Sequence, residues 1–152
     1  MEITKVPSEI LKQKIKQVSS KEIESGKYGH LISDMKKAMI ENKGIGLAAN
    51  QVGQDLALFV IDAQIAADQS VPEVYFNPEI TDYSHEIDEM EEGCLSISKY
   101  YTQISRSKKI MLKFVDEKGI KSKIKARGFL ARILQHETDH LNGLTIKDRV
   151  KK

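Results

Sequence analysis

Gly128-Phe129-Leu130-Ala131-Arg132-Ile133-Leu134-Gln135-His136-Glu137-Thr138-Asp139-His140-Leu141, closed by Asn142-Gly143, is the stretch from which the rest of the chain is read. Phe129, Leu130, Ile133, Leu134 and Leu141 recur at helical spacing, and Asn142-Gly143 is a helix-ending pair. The same segment carries an H-E-x-x-H pattern. On a helix, residues four apart share a face, so His136 and His140 can grip one metal ion with Glu137 beside it to handle protons. That arrangement suggests metal-assisted hydrolysis.

Upstream of this helix, Ile104 to Val115 and Ile120 to Ala126 read as strands joined by the turn Asp116-Glu117-Lys118-Gly119. Val74 to Tyr83, interrupted by Asn77-Pro78, reads as a strand pair or a bulged strand, and Leu56 to Ile61 as a buried strand. Near the N-terminus, Pro7 and Ser8-Glu9-Ile10-Leu11 predict a short helix, with apolar residues recurring to Val18. Ser19 or Ser20 then caps a longer one, striped by Ile23, Leu31, Ile32, Met35, Met39 and Ile40, which stops near Asn42 to Gly44. Helix, strands, then helix make an α+β fold: antiparallel or mixed β-sheets packed around a central C-terminal helix carrying HExxH, with an N-terminal helix. Without repeats, low-complexity runs or linkers, residues 1–152 are expected to form one domain.

Composition is ordinary for a globular protein, with 40% hydrophobic and 30% charged residues. A net charge of +2, from 24 basic against 22 acidic residues, calls for neither nucleic acid nor an anionic membrane. No span reaches transmembrane length, and Met1 to Pro7 lacks the features of a signal or transit peptide. Cys94 is the single cysteine, which excludes an intrachain disulfide framework. A cytoplasmic protein is expected, in which Cys94 is either buried filler or chemistry.

H-E-x-x-H supplies two ligands where a catalytic site of this kind usually has three, so another His, a carboxylate or Cys94 must supply the last. Alone, Cys94 in Glu92-Gly93-Cys94-Leu95-Ser96 reads as a buried structural residue. Joined to two imidazoles, its thiolate makes a good borderline-soft site. A third element is Gly44-Ile45-Gly46-Leu47-Ala48-Ala49-Asn50-Gln51, whose small residues let backbone approach a ligand and whose Gln51 offers an amide donor. No Lys-Ser/Thr follows, so it is not a phosphate loop, and alone it reads as a helix-ending turn.

Together the three segments resemble the peptide deformylases, which carry G-x-G-x-A-A-x-Q, E-G-C-x-S and H-E-x-D-H in that order. All three are intact here, as Gly44 to Gln51, Glu92 to Ser96 and His136 to His140. The likeness spans nearly the whole chain, from Pro7 and Leu11 to Leu141-Asn142-Gly143, and it is to a short form without the C-terminal helical extension. It implies one divalent metal ion on Cys94, His136 and His140, typically Fe2+, with Zn2+, Ni2+ or Co2+ able to replace it. It also implies hydrolysis of the N-formyl group from the initiator methionine of nascent chains, releasing formate. Glu137 would be the base, and the Gln51 amide and Leu95 backbone N–H would steady the oxyanion. The implied substrate contacts are Ile45, Gly46, Glu92, Gly93, Phe129 and Ile133: an apolar pocket for Met, and backbone that pairs with the peptide as an added strand.

Other residues take plainer readings. His30 and His85 match no motif and are expected at the surface or at helix ends. Asp139 either orients a ligand, pairing with a base such as Arg106, or is a helix-surface acid. Lys147 to Lys152 is expected to be a solvated basic end. Three features depart from the family pattern. Ser98 stands where proline is common, and Tyr101 stands at or near the place of an arginine that helps hold the peptide. The chain also ends at Lys152, before the helix linked to ribosome docking, so docking is not implied. The expected partners are N-formylmethionyl peptides, with no membrane and no specific nucleic acid, and the protein is expected to be a monomer. Rival readings are a zincin-like metallopeptidase and a non-catalytic homologue that binds peptides.

Overall fold

The computed structural model describes residues 1–150. In chain order the elements are α1 (Ser20–Glu24), α2 (Gly29–Glu41), β1 (Gly46–Ala48), β2 (Leu58–Ile61), α3 (Ala63–Asp68), β3 (Val74–Tyr83) and β4 (Ile87–Cys94). They continue with β5 (Ile97–Ser107), β6 (Lys109–Val115), β7 (Lys121–Arg127), α4 (Gly128–Leu141) and α5 (Ile146–Arg149). Single 3-10 turns lie at Glu9–Leu11 and Ala49–Val52.

The strands form a five-stranded sheet, β1-β2-β3-β6-β7, and a two-stranded sheet, β4-β5, with every pairing antiparallel. β2 shows how the layers stack. All four of its residues are buried, because both faces of the sheet are covered there. Phe59 and Ile61 pack with Leu130, Ile133 and Leu134 of α4, whereas Leu58 and Val60 pack with Ile32, Met35 and Met39 of α2. On its other side α4 meets β5. The order is therefore α2, five-stranded sheet, α4, then the β4–β5 hairpin, and α4 is enclosed. Arg132, Gln135, Glu137, Thr138, Asp139 and His140 are buried along with its apolar residues.

Several local readings change. The N-terminal helix forms only over Glu9–Leu11. Beyond it, Ile15 N–H donates to Leu141 O and Val18 N–H to Asn77 Oδ1, so the segment runs as a strap across other elements. The second predicted helix breaks into α1 and α2 at Gly26, which has φ +75°. Ile104 to Val115 divides at Lys108, where the chain passes from the small sheet to the large one. β4 was not expected at all, since Asp88-Glu89-Met90-Glu91 is poor strand sequence; its side chains lie largely exposed. The Asn77-Pro78 bulge is present as a register shift between Phe76 and Glu79, stabilised by the Asn77 amide, which donates to and accepts from the Val18 backbone. Among the described residues no helix is long and apolar enough to cross a membrane.

Candidate active site

β7 runs into α4 without a loop because Gly128 takes φ +64°, a conformation costly for other residues. Eight and twelve residues further on, His136 and His140 stand on one face with ring centroids 5.0 Å apart. β4 ends at Cys94 and delivers its thiol to this face. Sγ lies 3.2 Å from His140 Nε2, and the donor atoms of Cys94, His136 and His140 all lie within 4.8 Å of one another.

The 3-10 turn at Ala49–Val52 carries Gln51 into the same place. Its Oε1 accepts from Ala48 N–H at 2.9 Å, which orients the amide, and Nε2 donates to Ser96 Oγ at 3.1 Å and faces Cys94 Sγ at 3.5 Å. Asn50 donates to His140 O at 2.7 Å and ties this turn to α4. Leu95 O accepts from Lys5 Nζ, while among the described residues its backbone N–H, adjacent to Cys94, has no protein acceptor.

Beneath the cluster lies a buried charge array. The Glu92 carboxylate accepts from His136 Nδ1 at 2.8 Å, from Arg106 at 2.7 and 3.0 Å, and from Arg132. Arg106 also donates to Asp139 at 2.8 Å, and Arg149 of α5 donates to both oxygens of Asp139 at 3.0 and 2.7 Å. In the neutral ring the Glu92 contact places the proton on His136 Nδ1, so that Nε2 carries the lone pair a metal would take. Glu92 was expected to touch substrate. It borders the cavity, but its carboxylate is turned inward and fully engaged in the array. Asp139 is likewise an interior ion-pair partner of Arg106, not a surface acid.

Titration follows from these surroundings. Burial would raise Glu92, but hydrogen bonds from His136 and Arg106 hold it at about 2. Burial would lower His136, yet Cys94, Glu92 and Glu137 lift it to about 10. Burial pushes Glu137 up to about 7 against the pull of His136 and Arg106. His140 is driven well below the ordinary imidazole range by burial, reinforced by the charges of His136 and Arg106.

The residues present fit a divalent ion. A thiol and two imidazoles converge, the carboxylates around His136 favour positive charge there, and buried Glu137 Oε2 has no hydrogen-bond partner. Above the cluster opens a cavity of about 490 Å³, whose lining includes Ile45, Gly46, Gly93, Phe129, Ile133 and Glu137. Ile45 and Phe129 remain 41% and 46% exposed at its rim, apolar surface left open beside polar chemistry. The structure thus brings together Cys94, His136, His140, Glu137, Gln51 and the predicted apolar wall. Sequence reasoning missed Arg132 and Arg149. Each is a cation whose acid partner is distant in sequence or not marked as special, so no local signal singled it out.

Fold and site define a metallohydrolase built around a buried H-E-x-x-H helix. The family model for polypeptide deformylase matches residues 1–152. The peptide deformylase of Prochlorococcus marinus (strain MIT 9312) is 43% identical over 150 residues, covering 99% of this chain and 73% of that one. That of Parasynechococcus marenigrum (strain WH8102) has the same identity and coverage. Among solved structures, peptide deformylase from Synechococcus elongatus in complex with actinonin matches with TM-score 0.91 and 36% identity, over 100% of this chain and 81% of that one. The Thermotoga maritima enzyme matches with TM-score 0.89 and 34% identity, over 99% and 97%. A Met-Ala-Ser-bound enzyme from Acinetobacter baumannii matches with TM-score 0.88 and 32% identity, over 99% and 98%. The chain belongs to the polypeptide deformylase family. Its class of activity is peptide deformylation, and neither rival reading gains support from these relatives.

Proposed function

We propose that this chain removes the N-formyl group from the N-terminal methionine of nascent polypeptides, with Cys94, His136 and His140 holding one divalent ion, ferrous iron in the cell. The observation that carries this reading is the convergence of three donor atoms, that of His140 fully buried, beneath one cavity lined by Cys94, His136, Glu137 and Gln51. When bound, such an ion would acidify a water molecule and polarise the formyl carbonyl.

The chain's own residues supply the rest. Glu137, buried with Oε2 unpartnered and Oε1 3.7 Å from His136 Nε2, takes a proton from the attacking water and passes it to the departing amine nitrogen. As the formyl carbon becomes tetrahedral, its oxygen gains charge and accepts from Gln51 Nε2 and the Leu95 N–H. Removing one such donor costs about 100- to 1,000-fold in rate. The C–N bond then breaks, giving formate and a free α-amine.

Methionine enters between Ile45, Phe129 and Ile133, and the peptide pairs with backbone at Ile45, Gly46 and Gly93. The bound Met-Ala-Ser of the Acinetobacter enzyme supports this choice of ligand. At Gly93 the Tyr101 ring lies close over the backbone, so this tyrosine takes up the rim where other members often carry arginine. We assign the protein to the cytoplasm, in keeping with one free cysteine, and as a monomer.

Formate release from formyl-Met-Ala-Ser, by protein prepared anaerobically with iron, tests the reading. Turnover with formate as product is expected, and metal analysis should find one ion per chain. Folded, metal-loaded protein that released no formate would overturn it.

A further inference from the structure

The outer face of β6 and β7 carries a concentration of positive charge that the overall balance conceals. In the antiparallel register Lys109 faces Arg127, Met111 faces Lys125, Lys113 faces Lys123 and Val115 faces Lys121. Facing residues share a side. The opposite side holds Ile110, Leu112, Phe114 and Ala126, all buried against α4 and its neighbours. Lys109, Lys113, Lys121, Lys123, Lys125 and Arg127 therefore project from one surface, and all six are exposed. Without them, 18 basic residues would face 22 acidic ones, so these six turn a net acidic remainder into a chain of charge +2.

Among the described residues none of the six makes an ion pair. Glu79 and Asp82 of β3, opposite Lys113 and Met111, border the patch and offset part of its charge, leaving an excess of four positive charges, and among the described residues they form no ion pair with it. Protection of an exposed sheet edge explains a cation or two on β7. It does not explain Lys109 and Lys113, which sit on β6, inside the sheet.

We propose that this face docks the phosphate backbone of structured RNA. Alternate residues on a strand are about 6.8 Å apart, so Lys121, Lys123, Lys125 and Arg127 form a cationic row about 20 Å long. A row of that length runs alongside several phosphates of a nucleic-acid strand. A flat row of long, unpaired cations suits a backbone better than a small anion, which needs an enclosed cradle. The row also points toward the chemistry: Arg127 ends β7 two residues before Phe129, which lines the active-site cavity. The choice of RNA over another polyanion rests on the deformylase reading, because nascent chains emerge from an RNA-rich surface. Binding itself is independent of turnover.

The test uses the full chain and a labelled 20-base-pair RNA duplex, with affinity measured by fluorescence anisotropy from 50 to 200 mM salt. Non-specific phosphate binding predicts a Kd of about 1–100 μM near physiological salt, weakening steeply as salt rises. The triple variant Lys113→Gln/Lys123→Gln/Lys125→Gln should bind at least tenfold more weakly and reduce the salt slope by about 3, one unit per lysine. Its formate release from formyl-Met-Ala-Ser should stay within twofold of the unaltered chain. A control triple, Lys12→Gln/Lys14→Gln/Lys37→Gln, makes the same charge change on other exposed surfaces and should leave binding within threefold. No RNA binding at 50 mM salt would overturn the proposal, as would equal loss in the control. Tighter binding to B-form DNA of the same sequence would overturn the assignment to RNA. Loss of formate release by the unaltered chain would instead count against the deformylase reading.

Discussion

At Gly46 a missing methyl group protects the chemistry. An added Cβ would sit 3.0 Å from the Glu137 carboxyl carbon and from Oε1, so Gly46→Ala must push the carboxylate aside. The carboxylate must give by a few tenths of an ångström; since a displacement near 1 Å costs up to about 100-fold in rate, a fall in kcat of up to about 10-fold is expected with metal content unchanged. Wild-type kcat in that variant would show that the carboxylate tolerates the shift. Glu137→Ala goes further. Glu137 is not among the converging donors, so the variant should keep its metal and lose about 100- to 10,000-fold in kcat. Metal analysis beside single-turnover formate release checks this, and retention of most activity would remove Glu137 from proton transfer. Both residues were named from the sequence, because short motifs mark them; the closeness of Gly46 to Glu137 was not, because it depends on how β1 packs on α4.

Helix α4 shows what was readable at the level of elements and what was not. Its bounds follow from periodicity and from Asn142-Gly143, and they match those of the structure. What its pattern did not show is that Arg132, Gln135, Thr138 and Asp139 are buried together with the metal-site residues, on the side that meets the β4–β5 hairpin. The acidic run of β4 has few strand-forming residues, so nothing local announced the strand that covers α4. Arg106 on β5 joins the two, holding Glu92 and Asp139 together from within, while Arg149 closes the Asp139 end from the half-exposed C-terminal helix. The two arginines should therefore differ in consequence. Arg106→Ala removes the fully buried cation that two buried carboxylates share, leaving Glu92 to Arg132 and His136 and Asp139 to Arg149 alone, and is expected to cost about 3 kcal/mol. Arg149→Ala removes a partner that is 44% exposed and leaves Arg106 in place, so about 1 kcal/mol is expected. Urea unfolding midpoints at neutral pH provide the comparison, and equal losses would mean that burial does not govern this array. Lys147, Asp148 and Arg149 are exposed, as the reading of a solvated basic end expects, and Arg149 in addition pairs with Asp139; residues 151 and 152 lie outside the described residues.

Across the whole molecule, the candidate metal centre lies where two layers meet. His136 and His140 belong to α4, whereas Cys94 ends a strand of the small sheet; the apolar cluster around Ile97, Ile104 and Ile146 includes no α4 residue, and the buried ion pairs of Glu92, Arg106, Arg132 and Asp139 join the two layers. An ion held by all three residues would bridge helix and hairpin, so binding should stabilise the native state by mass action. With free metal at about 100 times its dissociation constant, the gain is about 2.7 kcal/mol. For a chain of this size that corresponds to a rise in Tm of about 5–10 °C. Thermal unfolding under anaerobic conditions, with and without chelator, measures it directly. Cys94→Ser should lose most of the metal-dependent shift while keeping its metal-free Tm within about 2 °C, since the hydroxyl is nearly the same size. A full metal-dependent shift in Cys94→Ser would show that the hairpin does not take part in binding, and that the ion sits on the H-E-x-x-H helix alone.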